Sequence, residues 1–195
     1  LFENRGGTFV EVSAARGVVD AAPTLATLMY DHDGDGDLDI YVGNDMGLLF
    51  ADQLLINDGD GNFVDRAGSR GFDSPGTDTM GVDVGDYDLD GLTDMVTTDF
   101  KDRPIRLLHC FDPAIACSNE VAPDGLDYVK WGVGLVDFDN DRDLDLMVST
   151  GDVVVNKDSG TSASRTHLYF NNGRGKFTEY RGGGALDALH TSRGM

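Results

Sequence analysis

The stretch Asp31-His32-Asp33-Gly34-Asp35-Gly36-Asp37-Leu38-Asp39 places aspartate at its first, third, fifth and ninth positions. Two later stretches repeat this spacing, and the three copies begin at positions 31, 86 and 137, that is, 55 and 51 residues apart. The later copies read Asp86-Tyr87-Asp88-Leu89-Asp90-Gly91-Leu92-Thr93-Asp94 and Asp137-Phe138-Asp139-Asn140-Asp141-Arg142-Asp143-Leu144-Asp145. Three acidic stretches in register at a near-constant period indicate an internal repeat, which constrains the whole architecture.

Short runs with the character of β-strands flank every copy. The runs before the copies are residues 24–30, 80–85 and 131–136, and the runs after them are 38–42, 93–98 and 144–149. Those that follow alternate in polarity and are rich in β-branched residues, as half-buried strands are. Each acidic loop is therefore predicted to join two antiparallel strands.

A second repeated element lies further along each unit. Residues 54–63 and 168–177 both read as strand, glycine-rich turn and strand, and residues 1–9 are a shorter version. The glycines suit the positive φ angles of a tight hairpin turn. The middle unit has no clear copy, since residues 105–109 are predicted as its third strand and a segment with Cys110 and Cys117 takes the place of the hairpin.

Four short antiparallel strands per unit predict an all-β fold made of β-propeller blades. We expect about three complete blades, with partial blades at both ends of one domain that spans residues 1–195. The expected segments are the last hairpin of a preceding blade (1–20), blades at 24–66, 79–129 and 130–181, and the first strand of a further blade (191–195). Residues 185–190 are compatible with one helical turn. Because the chain starts at Leu1 without a leader, we expect a processed product or a piece of a longer propeller, completed by the rest of that propeller or by another chain.

The acidic loops are candidate calcium sites, because calcium takes six to eight oxygen ligands and four carboxylates in nine residues repel one another without a cation. The first, third, fifth and ninth residues would supply carboxylates and the seventh its backbone carbonyl, so Leu92 is acceptable at the seventh position. About three ions are expected. The predicted ligands are Asp31, Asp33, Asp35, Asp37, Asp39, Asp86, Asp88, Asp90, Leu92, Asp94, Asp137, Asp139, Asp141, Asp143 and Asp145.

Magnesium and an ion-free acidic turn remain alternatives, whereas an EF-hand is excluded because there is no glutamate at the twelfth position and no flanking helix. Arg142 replaces the glycine found at the sixth position of the other two loops, so we expect either a strained backbone or a slightly different turn in the third loop, and weaker binding there.

The composition disfavours some classes of binding partner. The chain has 195 residues and a formal net charge of −20, with 35 acidic and 15 basic side chains. Nucleic acids and anionic membrane surfaces are therefore poor partners. No apolar run approaches the ~18 residues of a membrane-spanning helix, so no membrane insertion is expected.

Cys110 and Cys117 are the two cysteines of the chain. A disulfide between them would suit an exported protein, and two buried free thiols are the alternative. A zinc site is disfavoured, since no second cysteine or histidine pair has ligand spacing.

The acidic loops, the approaches 80–85 and 131–136, and the Asn-Gly-x-Gly-x-Phe hairpins resemble the FG-GAP/VCBS repeat family. Within that family, the chain is most similar to the cartilage acidic protein (ASPIC/UnbV) group. This resemblance implies a secreted or surface-displayed propeller with calcium in the blade loops, as in integrin α-subunit heads.

The function expected from the sequence is that of an extracellular calcium-binding module for adhesion or for binding a protein or carbohydrate ligand, without catalysis. His32, His109, His167 and His190 show neither triad nor ligand spacing, and the metal prediction already accounts for the strong acidic clusters. One alternative is a structural subunit of a filament or larger assembly. A second is a carbohydrate-active enzyme whose site lies outside this segment.

Overall fold

The computed structural model describes residues 1–19, 21–73, 75–101, 103–112, 116–122, 126, 128–151, 164–184 and 186. These residues are nearly all β, and they form a two-stranded hairpin and three four-stranded antiparallel sheets. The hairpin consists of β1 (Phe2–Arg5) and β2 (Thr8–Glu11). The sheets confirm the predicted propeller-like blades, which do not close into a ring within the described residues.

Each sheet takes its strands in chain order. The first blade contains β3 (Thr24–Tyr30), β4 (Asp39–Asn44), β5 (Gln53–Asn57) and β6 (Phe63–Asp65). The middle blade contains β7 (Gly81–Gly85), β8 (Asp94–Thr98), β9 (Arg106–Asp112) and β10 (Ala116–Val121). The third blade contains β11 (Val129–Val136), β12 (Asp145–Gly151), β13 (His167–Phe170) and β14 (Thr178–Glu179). The predicted strand at 191–195 and the predicted turn at 185–190, Leu186 apart, lie outside the described residues.

The hydrophobic core lies between neighbouring blades rather than inside any one of them. Successive residues of a strand point to opposite faces of a sheet. Tyr41 and Leu54 thus pack in a cluster with residues of the middle blade, whereas Ile40, Val42 and Leu55 pack on the opposite face of the first blade. A third cluster joins the middle and third blades and includes Val96, Leu107, Leu146, Val148 and Tyr169. Stacking of adjacent blades therefore buries the apolar face of each sheet.

Two short helical turns connect neighbouring units, and neither was predicted from the sequence. A 3₁₀ turn at Ala14–Arg16 ends at Gly17, and α1 (Ala67–Arg70) ends at Gly71. Both glycines have φ of +80°, and a Cβ atom there would collide with the backbone carbonyl oxygen of Phe63 or of Cys117. A helix that ends in a left-handed residue of this kind normally has glycine there, so the two turns are equivalent connections.

The middle blade contains a disulfide where the other blades have a glycine-rich turn. Cys110 on β9 pairs with Cys117 on β10 in the strand register, and their sulfur atoms are bonded. Both cysteines are buried in the cluster between the first and middle blades. The disulfide therefore joins the third and fourth strands of this blade. No helix among the described residues is long and apolar enough to cross a membrane.

Candidate metal centres

The three acidic stretches occupy the same place in the three blades. Residues 31–38, 86–93 and 137–144 connect the first strand of a blade to the second, and the ninth aspartate is the first residue of the second strand. The glycine-rich turn between β5 and β6 connects two strands at the same end of the first blade, because antiparallel strands reverse direction at each turn. The three acidic loops are therefore equivalent in topology as well as in sequence.

The ninth aspartate of each loop is fully buried and joins three parts of its blade. In the third blade, Asp145 Oδ2 accepts a hydrogen bond from the Phe138 backbone N–H at 2.9 Å, and its Oδ1 accepts one from Asn171 at 2.9 Å. Asp39 and Asp94 accept from the equivalent backbone groups of their own blades. This carboxylate therefore connects the start of the loop to the third strand, which is a structural role in addition to the predicted metal ligation.

The first aspartate of each loop organises the turn that follows it. Asp86 Oδ1 accepts from the Asp90 N–H at 3.1 Å, and its Oδ2 accepts from Gly91 at 3.0 Å. The first aspartates of the other two loops also accept two backbone N–H groups each. These bonds wrap the backbone around the carboxylate and leave its remaining lone pairs available to a cation.

Two positions in every loop have left-handed backbone conformations. At the fourth position φ is 73° for Gly34, 63° for Leu89 and 64° for Asn140. At the sixth position φ is 95° for Gly36, 91° for Gly91 and 83° for Arg142. Arg142 thus adopts the same turn as the glycines, in a region that costs a residue with a Cβ atom about 1–2 kcal/mol.

The side chains of the first, third and ninth aspartates converge in each loop. Each of these residues offers one carboxylate oxygen, and the three oxygens lie within 4.8 Å of one another. The three groups are Asp31, Asp33 and Asp39; Asp86, Asp88 and Asp94; and Asp137, Asp139 and Asp145. Asp90 belongs to a further group with Asp88 and His109, whereas the fifth aspartates Asp35 and Asp141 belong to none of these groups.

The seventh position differs among the loops. Asp37 and Leu92 are partly buried, and Asp143 is 6% exposed. The predicted ligands at this position are the backbone carbonyls and not the side chains, and that part of the site stays a prediction.

The electrostatics of these loops favour a cation. Burial raises the pKa of Asp94, and the nearby carboxylate of Asp88 raises it further. The side chain of Asp139 is exposed, and its pKa is raised by partial desolvation and by the charges of Asp141 and Asp145. Such shifts mean that the ionised carboxylates lack sufficient compensating charge.

Carboxylate oxygens that have no hydrogen-bond partner also favour a bound cation. Asp143 Oδ1 is buried and has no hydrogen-bond partner among the described residues, and the same holds for Asp33 Oδ1. Clustered oxygen donors of this kind suit a hard divalent cation. The residues present therefore fit a bound metal ion.

Two basic side chains from outside the loops distinguish the sites, and neither was predicted as part of a site. Arg70 at the end of α1 pairs with Asp33 at 3.2 Å. In the middle blade, His109 Nδ1 lies 3.2 Å from Asp88 Oδ2 and 3.4 Å from Asp94 Oδ1. Alignment of the third strands could have identified His109, because Ile56 and Phe170 occupy its position in the other blades.

Comparisons with known proteins support the repeat assignment. A family model described as an FG-GAP-like repeat matches residues 31–97, which include the first two acidic loops and the strands between them. No curated protein matches the chain. The predicted closeness to the cartilage acidic protein group therefore stays a prediction, while the match supports the FG-GAP-like repeat family for the segment that it covers.

Proposed function

We propose that this chain is a calcium-stabilised binding module of an extracellular β-propeller and that it has no catalytic activity of its own. One observation carries the proposal: three loops at equivalent places bring the first, third and ninth aspartates within 4.8 Å of one another. The FG-GAP-like repeat match and the disulfide between Cys110 and Cys117 fit an extracellular location.

Calcium bound in each loop would stabilise the fold. The first and third aspartates are partly buried or exposed, whereas the ninth is buried at the start of the second strand. An ion held by all three would fix the turn to that strand and offset the repulsion among the carboxylates. Because it would bind the folded chain and not the unfolded one, calcium would raise stability by mass action. The ions would thereby hold the exposed connections between strands in place for a protein or glycan ligand.

Thermal unfolding in excess calcium and in excess chelator tests this proposal. A single site filled at ~100 times its dissociation constant contributes ~2.7 kcal/mol, so three sites should raise the melting temperature by many degrees. Magnesium at the same concentration is the control, and we expect a smaller rise, because magnesium needs a tighter octahedral set of ligands. Equal melting temperatures in calcium and chelator would overturn the proposal.

A structural subunit of a larger assembly is the second candidate. The observation in its favour is the exposed apolar surface of the β1–β2 hairpin, where Phe2 is 64% and Phe9 is 69% exposed. Sedimentation of the calcium-loaded chain distinguishes the two proposals. A monomer supports the binding module, and a stable assembly of many copies supports the subunit.

A further inference from the structure

A cavity of about 380 Å³ lies beside the interface between the middle and third blades. Its lining includes Tyr169 and Phe177, which belong to the core cluster between these blades. The polar lining includes His167, Glu179, Arg165 and Arg181 on or beside β13 and β14. The cavity is within the size range of sites for small ligands, and it combines aromatic walls with a few convergent polar groups, as such sites do.

His167 is the central polar group of this cavity. It is 5% exposed, and its Nδ1 lies 3.0 Å from Glu179 Oε1. Burial lowers the pKa of His167, so the imidazole is neutral near pH 7. An ionised carboxylate can only accept a hydrogen bond, so the ring proton is on Nδ1 and Nε2 carries a lone pair. That Nε2 is buried and has no hydrogen-bond partner among the described residues.

The charges around His167 are unusual for this chain. Arg165 pairs with Glu179 Oε1 at 2.6 Å, and Arg181 pairs with Glu179 Oε2 at 2.6 Å. Two guanidinium groups and one carboxylate leave a local charge of +1 beside a neutral imidazole, in a protein whose formal net charge is −20. The Arg181 side chain is 76% exposed, so its guanidinium is within reach of an incoming anion.

The equivalent position in the other blades indicates that the site is specific to the third blade. The first residue of the third strand is Gln53 in the first blade, Arg106 in the middle blade and His167 in the third. Each has a buried polar atom without a hydrogen-bond partner among the described residues. Of the three, His167 is the one whose other polar atom contacts a carboxylate of the fourth strand, Glu179 on β14.

We propose that this cavity binds a small hydroxylated carboxylate, such as a uronic acid, either free or at the end of an acidic saccharide. A ligand hydroxyl donates a hydrogen bond to the buried Nε2 of His167, and the guanidinium of Arg181 pairs with the ligand carboxylate. An apolar edge of the ligand touches the small exposed parts of Tyr169 and Phe177. Glu179 is a positioning residue, because it holds the proton on Nδ1. The inference rests on the proposal that the chain is a binding module, and it assigns that module a ligand class.

Titration calorimetry of the calcium-loaded chain with glucuronate tests the inference. We expect saturable binding with a dissociation constant below about 1 mM. Glucose lacks the carboxylate and cyclohexanecarboxylate lacks the hydroxyls, so each should bind at least tenfold more weakly. A trigalacturonate probe, compared with free galacturonate, distinguishes a saccharide end from a free acid. Tighter binding of trigalacturonate indicates a saccharide end, and weaker binding indicates a free acid.

Two variants and a matched control locate the binding. His167→Leu and Arg181→Gln should each weaken glucuronate binding at least tenfold, and Gln53→Leu at the equivalent position of the first blade should not change it. Should His167→Leu fail to fold, Arg181→Gln still decides the question, because the Arg181 side chain is 76% exposed. Nitrogen chemical shifts of His167 provide a second readout, with the proton expected on Nδ1.

Several outcomes would overturn the inference. They are an absence of saturable glucuronate binding up to about 10 mM, equal binding of glucose, wild-type affinity in Arg181→Gln, or a proton on Nε2 of the free protein. The melting temperature in calcium and in chelator is recorded for the same samples. A calcium-dependent rise without glucuronate binding refutes this inference alone, and glucuronate binding without a calcium-dependent rise refutes the calcium proposal alone.

Discussion

Arg142 has a left-handed backbone at the position where the other two loops have glycine. A Cβ atom in this conformation lies too close to the following carbonyl oxygen. The side chain is exposed, so little packing offsets that cost. Asn140, two residues earlier, is also left-handed, but a short polar side chain tolerates the conformation better. The strain expected from the sequence at this loop is therefore located at one residue.

Replacement of Arg142 by glycine should stabilise the protein. In excess calcium, we expect Arg142→Gly to raise the free energy of unfolding by about 0.5–1 kcal/mol, because relief of the left-handed strain exceeds the entropy that glycine adds to the unfolded chain. Arg142→Gln is the control, since it removes the charge but keeps the Cβ atom. Chemical denaturation measures both, and an equal gain in the two variants would contradict the backbone explanation.

The ninth aspartate should be required even without metal. Asp145→Asn replaces one acceptor oxygen with an N–H donor, which faces a backbone N–H that Asp145 now satisfies. An unsatisfied buried donor costs about 1–3 kcal/mol, so we expect that loss of stability in excess chelator.

Asp141→Asn is the matched control for this prediction. Asp141 is exposed, and the amide oxygen of asparagine can still accept the Asp143 N–H that Asp141 accepts at 3.2 Å. Its stability in chelator should stay within about 0.5 kcal/mol of the parent chain. Equal losses of stability in Asp145→Asn and Asp141→Asn would show that the ninth aspartate has no special structural role.

At the scale of elements, the strands and their loops could be predicted because they repeat. Alternation and period located the three blades, and the match of residues 54–63 to 168–177 located the outer hairpins. The turns at Ala14–Arg16 and Ala67–Arg70 are too short to produce a helical period, so the sequence did not indicate them. The contact between Arg70 and Asp33 depends on how α1 packs, which no local pattern encodes.

The disulfide should stabilise the β9–β10 hairpin. Cys110 and Cys117 are seven residues apart, and a loop of that size is expected to contribute about 2–3 kcal/mol by restricting the unfolded chain. Replacement of both cysteines by alanine should lower the free energy of unfolding by about that amount, as measured by chemical denaturation. The number of bound calcium ions should be unchanged, because Cys110 contacts Asp94 through its backbone N–H. A double alanine variant as stable as the parent chain would contradict a stabilising role of the disulfide.

At the scale of the whole molecule, the blades form a row whose cores lie between neighbours. One cluster joins the first and middle blades and another joins the middle and third. The first strands of adjacent blades, β3 with β7 and β7 with β11, pack against each other. Loss of order in one loop would therefore weaken the packing of the adjacent blades, which is why bound ions in the loops would stabilise the whole row.

Only part of each candidate site could be predicted from the sequence, and the reason is physical. Ligands that are close in sequence, such as the first and third aspartates, can be recognised from spacing, and the structure brings them together. His109, and the cavity around His167 and Glu179, depend on contacts between strands that are distant in sequence. Such contacts become visible once the strand register is known.

The calcium content of the native chain tests the central claim most directly. Native mass spectrometry should show three ions on the parent chain and two when Asp86 and Asp88 are both replaced by alanine. The double replacement of Asp58 and Asp60, which removes the same charge from the turn between β5 and β6, should leave three ions. A chain without bound calcium, or an unchanged count after replacement of Asp86 and Asp88, would contradict the account.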